Sequence, residues 1–190
     1  MKIILSWKWF DLVNGIITNT SAISTGYIGS KMESLGSGWY RCSLTFRRTQ
    51  LFNYFQIYPN NTGGAFASYA GDVAKSIYIW GAQLAESNWE GPYVQTTSSV
   101  VNTGNIRNKP RVQQNLLLRS EQFDNAAWGV TAGTTVTADN VTAPDGTLTA
   151  DKLSFAGGDT RYHLQLVSGL VAGRAYTFSV WLYTDTKVNI

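Results

Sequence analysis

The sequence predicts an all-β protein, a sandwich of two antiparallel sheets. Three observations favour this fold class. Charged residues make up 14% of the 190 residues, against about 25% in an average globular domain. Aromatic residues reach 13%, and the uncharged polar positions are mostly Ser, Thr, Asn, Gln and Gly, the composition of many short strands joined by turns. No apolar stripe keeps a helical spacing beyond about two turns, so we expect little helix.

Apolar runs that end at turn residues define the strands of the first part of the chain. Residues 2–10 form one aromatic, apolar run, and the Asn14-Gly15 pair that follows predicts a tight hairpin with a short return strand. Residues 51–58 and 76–84 are further runs rich in aromatic and β-branched residues. Gly81 interrupts the last of them and predicts a bulge or a close approach of the backbone to another group.

Two strands alternate strongly enough to predict which side chains face the core. In the strand over 39–47 and in the strand over 174–183, every second residue is apolar. The residues that this spacing assigns to the core are Tyr40, Cys42, Leu44, Phe46, Tyr176, Phe178, Val180 and Leu182.

The strand over 161–167 alternates as well, and its phase decides where its polar residues point. We expect its apolar set to face the core; that set consists of Tyr162, Leu164 and Leu166. The polar set would then face away from the core; it consists of Arg161, His163 and Gln165.

A candidate linker divides the chain. Residues 96–114 carry few large side chains and one proline, so we predict a linker there, between a first segment over 1–95 and a second over 115–190. Turns separate the remaining strands of the second segment, which are predicted over 115–118, 134–138 and 148–155.

Charge and cysteine usage argue against several classes of protein. The net charge is +3, and Arg47-Arg48 is the only adjacent basic pair, so we expect no nucleic-acid partner. No run approaches the length of a membrane span, and the start of the chain lacks the apolar core of a leader peptide, so we expect no membrane insertion. The single cysteine, Cys42, can form no internal disulfide and supplies no metal cluster.

The residues also argue against catalysis. His163 is the only histidine, and no serine lies in a G-x-S-x-G turn that would expose it as a nucleophile. The four glutamates lie in predicted turns or at segment edges and form no facing pair of the kind that glycoside hydrolysis needs. We therefore predict that the protein is not an enzyme.

Six short motifs occur in consistent order along the chain. The second segment contains NLLLRSEQFDNAAW (115–128), TAPDGTLTADKL (142–153) and GRAYTFSVWLY (173–183). The first contains WFDLVNG (9–15), GSGWYRCS (36–43) and IYIWGAQL (77–84). The second segment resembles the opening half, and the first segment the closing half, of the carbohydrate-binding-module-like jelly rolls of bacteriophage tail fibres and other phage structural proteins. The resemblance implies a concanavalin-like jelly-roll sandwich whose halves come in reversed order.

Two interpretations of the reversed order stay open. In the first, the chain is a circularly permuted module in which both halves form one sandwich, with 96–114 joining them; this order of motifs predicts that residues 2–10 lie beside 174–190 and complete the same sheet. In the second, the chain contains the end of one module of a tandem array and the beginning of the next.

The resemblance also implies a role and a location. It implies a non-enzymatic module of a phage tail or tail fibre, made in the bacterial cytoplasm and facing the exterior of the virion. Such a module recognises host cell-surface polysaccharide or glycan, or supports modules that do. The alternative is a structural decoration or connector domain that acts through homo-oligomeric assembly with other virion proteins.

Aromatic rows on a sheet face predict where a glycan would bind, because aromatic faces stack on sugar rings and polar neighbours bond the hydroxyls. The candidate glycan-binding residues are Tyr54, Gln56, Tyr58, Arg161, His163, Gln165 and Trp181. Related jelly rolls often hold a structural calcium near the opening strand, which points to Asp124 as a ligand. The closing strand carries Trp80 where those relatives often have a partner carboxylate. We predict no other cofactor.

Overall fold

The structure is a computed structural model. The residues that it describes form fourteen strands. These residues are 2–5, 8–18, 26–48, 54–60, 76–102, 114–156 and 161–185, with the backbone alone at 2–5, 54, 59 and 60. The strands are β1 (Lys2–Leu5), β2 (Lys8–Asp11), β3 (Ile16–Thr18), β4 (Tyr27–Gly36), β5 (Trp39–Arg47), β6 (Tyr54–Asn60), β7 (Ser76–Ala85), β8 (Val101–Asn102), β9 (Gln114–Asn115), β10 (Gly129–Val130), β11 (Thr134–Val141), β12 (Ala150–Phe155), β13 (His163–Leu166) and β14 (Ala175–Tyr183).

The strands form two six-stranded sheets and one short pair, and every described strand pairing is antiparallel. Sheet A has the order β10-β13-β6-β1-β2-β3, sheet B has the order β11-β12-β7-β14-β5-β4, and β8 pairs with β9. The chain passes from one sheet to the other between β5, β6 and β7 and again between β12, β13 and β14, as in a jelly roll. The all-β sandwich prediction is confirmed. Within the described residues, no helix is long and apolar enough to cross a membrane.

The core lies between the two sheets and is rich in aromatic side chains. Phe55 of sheet A lies 5.2 Å from Phe178 and 5.9 Å from Phe46 of sheet B, measured between ring centroids. The core faces predicted for β5 and β14 are confirmed. Buried side chains among them are Cys42, Leu44, Tyr176, Phe178, Val180 and Leu182, while Tyr40 and Phe46 are partly buried and pack against the core.

Cys42 should therefore react very slowly with thiol reagents in the native protein. Its side chain is fully buried, and burial raises the pKa of its thiol well above the ordinary value, so the reactive thiolate is scarce. We expect labelling by a thiol-specific reagent at neutral pH to require unfolding, and labelling in denaturant to be fast. Rapid labelling of the folded protein would contradict the assigned face of β5, because a one-residue slip turns every side chain over.

The N-terminal residues form two strands, whereas we expected one. The run over 2–10 bends into the hairpin β1–β2, in which Ile3 lies opposite Phe10. The predicted hairpin at Asn14-Gly15 is confirmed between β2 and β3, and Gly15 has a φ of 66°, in the left-handed region that glycine adopts without strain. Its turn is not of the type I′ that an Asn-Gly pair predicts, because the loop spans four residues, 12–15, and Asn14 does not have a positive φ.

The position of the N-terminal strands differs from the expectation that residues 2–10 complete the sheet of residues 174–190. β1 and β2 belong to sheet A, whereas β14 lies inside sheet B. Both edges of β14 are already occupied, by β5 on one side and β7 on the other, so no place beside it is left for a further strand. Strands from the first segment and from the second are present in both sheets.

The described ends of the predicted linker are part of the fold. Thr96 is buried and donates its hydroxyl to the Leu117 carbonyl oxygen at 2.8 Å. At the other end, the side-chain oxygen of buried Gln114 accepts a bond from the Glu86 amide at 2.6 Å. β8 and β9 pair these two ends with each other. The rest of the predicted linker, 103–113, lies outside the described residues.

Candidate functional site

The outer face of sheet A carries two of the predicted glycan-binding residues. In β6, Phe55 and Ile57 are buried in the core, and Gln56 and Tyr58 are half-buried on the opposite face. This is the alternation that the sequence predicts. The side chain of Tyr54 lies outside the described part of the chain.

The predicted phase of β13 is wrong. His163 is fully buried and Gln165 is 3% exposed, whereas Leu166 is 64% exposed. The reason is the pairing of β13 with β6, in which His163 lies opposite Ile57 and Gln165 lies opposite Phe55. Because side chains opposite each other share a face, the two polar residues join the core.

The two inward polar residues of β13 have different surroundings. Gln165 accepts a bond from the Leu118 amide at 2.7 Å and donates to the Leu118 carbonyl at 2.8 Å, so it closes the backbone of that segment. His163 stacks on Trp128, with ring centroids 5.4 Å apart and planes 14° from parallel, and lies 5.9 Å from Phe123. Neither of them faces a ligand approaching from solvent.

The reversed phase brings Tyr162 onto the outer face. Its ring lies 5.4 Å from the ring of Tyr58, with the two planes inclined by 57°. Leu164 lies opposite Gln56 beside this pair. We call the group the Tyr58 face; it consists of Gln56, Tyr58, Tyr162, Leu164 and Leu166. Two half-buried phenol rings beside an amide can stack on an apolar ring surface and bond a hydroxyl.

Arg161 lies beside this pair in sequence but is held elsewhere. Its guanidinium donates to the carbonyl oxygen of Ala132 and lies against Gly133, in the turn between β10 and β11. That hydrogen bond joins the residues that precede β13 to the turn between β10 and β11.

Trp181 is on the opposite side of the sandwich, on the outer face of sheet B. It is 6% exposed and belongs to a second aromatic cluster. We call this the outer cluster; it consists of Trp39, Tyr78, Trp80, Tyr93, Val141, Ala143, Ala150, Trp181 and Tyr183. The Trp181 ring lies 5.1 Å from the rings of Trp80 and Tyr93 and carries the guanidinium of Arg41 at 4.4 Å. The structure therefore does not bring Trp181 together with Tyr58.

Residues 89–94 form a short strap that lies across the outer face of sheet B and covers part of the outer cluster. Gln83 donates to the carbonyl oxygen of Glu90 at 2.7 Å and accepts from the Val94 amide at 2.8 Å. Arg41 donates to the carbonyl oxygen of Gly91 at 2.9 Å. These bonds fix the strap over the aromatic rings, so the outer cluster is a small second core.

Gly81→Ala should destabilise the protein, because Gly81 lies in β7 directly against Trp181 of the outer cluster. Its φ is 63°, and a Cβ placed on it would lie 2.7 Å from the Trp181 ring. The predicted bulge is confirmed, since the register between β14 and β7 shifts between Ser179 and Trp181. We expect a loss of about 2 kcal/mol in the free energy of unfolding, from strain and overpacking together. Urea titration measures this loss, and Gly146→Ala is the control, since nothing lies within 4 Å of its Cβ position although its φ of 90° is also positive.

The carboxylates near the predicted calcium ligand form no metal site among the residues described. Asp124 is exposed, and no group of three or more His, Cys, Asp or Glu side chains in the described ranges is arranged to hold a metal ion. Asp151 is nearby and buried, but it accepts backbone bonds from Phe123 at 2.7 Å and from Asp139 at 3.0 Å. A calcium at Asp124 stays a prediction.

Tyr162 and the two leucines beside it are the residues of the Tyr58 face that sequence reasoning missed. Local alternation separates the two sets of β13 correctly but assigns them to the wrong faces, because here the strand buries its polar set. The signal that decides is the pairing partner, since β6 places Phe55 and Ile57 in the core.

Comparisons with known proteins add no family to this description. No family model matches the chain, and neither a curated protein nor a solved structure matches it significantly.

Proposed function

We propose that this chain is a non-enzymatic, carbohydrate-binding-like module of a phage tail or tail fibre, which recognises host-surface glycan through the Tyr58 face. The observation that carries the proposal is the pair of inclined tyrosine rings, Tyr58 and Tyr162, on an outer sheet face beside Gln56. The motif resemblance supplies the class of protein, and the tyrosine pair supplies the place where a sugar ring would stack.

The surroundings of the pair are compatible with a neutral or weakly polar ligand. Leu164 is half-buried, and Leu166 is largely exposed on the same face. Next to Leu164, β10 contributes Gly129, whose missing side chain leaves the surface low at that point. Aromatic rings, aliphatic side chains and one amide together suit the mixed apolar and hydroxyl surface of a sugar.

The exposed leucine also favours a second candidate function, assembly with neighbouring subunits. Leu166 is 64% exposed on the same sheet face as the two tyrosines, four residues after Tyr162, and an apolar patch of this kind is often covered by another protein. In this alternative the Tyr58 face is an interface of a virion connector or decoration domain.

The test of glycan recognition is to remove each ring of the pair. We expect Tyr58→Ala and Tyr162→Ala each to weaken binding by about 1–3 kcal/mol, the usual loss for an aromatic anchor at an interface. Isothermal titration calorimetry would measure this with a glycan that the wild type binds on a host-glycan array. The control is Trp89→Ala, since Trp89 is 50% exposed but lies in the strap on the other side of the sandwich.

Three outcomes separate the candidates. Loss of affinity in both tyrosine variants, with Trp89→Ala unchanged, supports the proposal. Unchanged affinity in both tyrosine variants moves the site away from this face. If the wild type binds no host glycan, and Leu166→Glu converts an oligomer into a monomer in light scattering, the assembly function replaces it.

A further inference from the structure

The two segments of the chain are interleaved in both sheets. In sheet B, β7 of the first segment lies between β12 and β14 of the second, and β14 lies between β7 and β5. In sheet A, β6 of the first segment pairs with β13 of the second. With the β8–β9 pair, five described strand pairings therefore join two stretches of chain that are each continuous in sequence.

The core also depends on both segments. Phe55 comes from the first and packs against Phe178 from the second, and Phe46 packs in the same way against Tyr176 at 6.1 Å between centroids. Neither segment can bury its inner faces without the other. Among covalent connections, residues 103–113 alone join the two, between β8 and β9.

We propose that two copies of this chain exchange halves, so that residues 2–102 of one copy form the sandwich with residues 114–185 of the other. Every strand pairing and core contact of the single-chain sandwich is kept in the exchanged form, because the same residues meet. Stretched out, residues 103–113 span about 35–40 Å, which is enough to pass from one sandwich to a neighbour. The partner is a second copy of this chain, held by exchanged strands.

The single chain and the exchanged pair differ only in which halves are covalently joined within one sandwich. Because one form contains one chain and the other contains two, the balance between them depends on chain concentration. A tethered half has an effective concentration on the order of 1 mM for its own partner half, so single chains dominate in dilute solution. Refolding near that concentration should give exchanged pairs. Once formed, the exchanged pairs should convert to single chains slowly, since separating the halves breaks five described strand pairings and the core.

The exchange has a consequence for the Tyr58 face, although it does not depend on what that face binds. Tyr58 belongs to the first segment and Tyr162 to the second. In an exchanged pair the two rings of each face therefore come from different chains, and one particle presents two such faces.

The test places one cysteine in each half, in separate chains, on a Cys42→Ala background. Thr45 and Thr177 lie opposite each other across the boundary between the halves, with their hydroxyl oxygens 2.9 Å apart. Chains with Thr45→Cys and chains with Thr177→Cys are mixed in denaturant, refolded together at increasing concentration and oxidised. We expect a disulfide-linked pair whose fraction rises roughly in proportion to chain concentration.

Two controls make the result decisive. A chain carrying both substitutions shows that the bond can form, as a disulfide within one chain at low concentration. Chains folded separately and then mixed should give little linked pair, since both positions are buried. A second pair, Ser76→Cys and Ser154→Cys, repeats the test at another boundary, where the hydroxyls are 2.9 Å apart.

The exchange is overturned if the doubly substituted chains form their internal disulfide but the mixed chains give no linked pair up to about 1 mM. It is also overturned if linkage is equal whether or not the chains were unfolded together. If neither double variant folds, the wild type decides. Refolding it near that concentration and measuring its mass by light scattering must then give pairs that persist on dilution, and single chains alone would refute the proposal.

Discussion

Replacing His163 by leucine should make the protein more resistant to acid. We expect the change that this substitution causes in the free energy of unfolding to be about 3 kcal/mol more favourable at pH 4 than at pH 7. The side chain is fully buried, and its two ring nitrogens have no hydrogen-bond partner among the described residues. Burial lowers the pKa of His163 from 6.5 to about 4. The native protein therefore holds this ring neutral.

The sign of the pH effect follows from where the proton binds. Between pH 6.5 and pH 4 the unfolded chain binds a proton at His163 and the native protein does not, so the stability falls as the pH falls through this window. Among the described residues a charged ring would find no hydrogen-bond partner: β6 supplies Ile57, and the ring stacks on Trp128 and lies near Phe123. The Asp151 carboxylate accepts a hydrogen bond from the amide of Phe123, whose ring lies against His163.

Urea unfolding at a series of pH values measures this effect, as the difference between His163→Leu and the wild type. Taking the difference removes the contribution of the other titrating groups. Ile57→Val is the matched control, because Ile57 is the cross-strand partner of His163. It should cost about 1 kcal/mol at every pH, as a small core truncation does. A difference for His163→Leu that stays constant from pH 7 to pH 4 would show that the ring reaches solvent or a partner in the native state.

The same histidine shows what the sequence can predict about this fold and what it cannot. In β5 and β14 one alternate set is strongly apolar and the other mostly polar, so the core faces of Cys42 and Phe178 could be predicted from the local pattern. In β13 the local pattern predicts the wrong face, because its polar residues His163 and Gln165 are buried and its apolar residue Leu166 is exposed. The pairing with β6 decides, and that strand is about a hundred positions away in the sequence.

Sheet membership is a second property that local patterns do not contain. The hairpin at Asn14-Gly15 and the bulge at Gly81 are set by backbone geometry within a few residues, and both were predictable. That β1 joins β6 in sheet A, while β14 lies in sheet B, depends on which edges remain open after the other strands have paired. The candidate site has the same limit. Gln56 and Tyr58 were placed by alternation, whereas Tyr162 reaches them only through register.

Asp151→Asn should change the pH dependence in the opposite direction to His163→Leu. Asp151 is 1% exposed, and its burial, with repulsion from Asp124 and Asp139, raises its pKa from 3.8 to about 6, although backbone bonds from Asp139 and Phe123 act against the rise. Between these values the native protein holds a proton that the unfolded chain does not. This contribution to stability is therefore present at low pH and lost as the pH rises through 6.

The expected size is about 2 kcal/mol after allowance for screening by nearby solvent, so the stability of Asp151→Asn relative to the wild type should rise by that amount from pH 4 to pH 7. Asn offers one oxygen where Asp151 offers two, so one of the bonds to Phe123 and Asp139 is lost. That loss lowers the whole curve without changing its slope. Asp124→Asn, which removes one repelling charge at an exposed position, should shift the window to lower pH and give a smaller change of the same sign.

The two groups oppose each other in the wild type. From pH 4 to pH 6, burial of neutral His163 makes stability rise with pH, and the proton held on Asp151 makes it fall by a similar amount. The sum of the two contributions changes little with pH. Each single variant therefore exposes the slope of the group that remains, which the removed group cancels in the wild type. The double variant His163→Leu/Asp151→Asn should return to a profile parallel to the wild type. If Asp151→Asn alone is already parallel to the wild type over this range, the Asp151 carboxyl is ionised in the native protein at pH 4, and its two backbone bonds outweigh its burial.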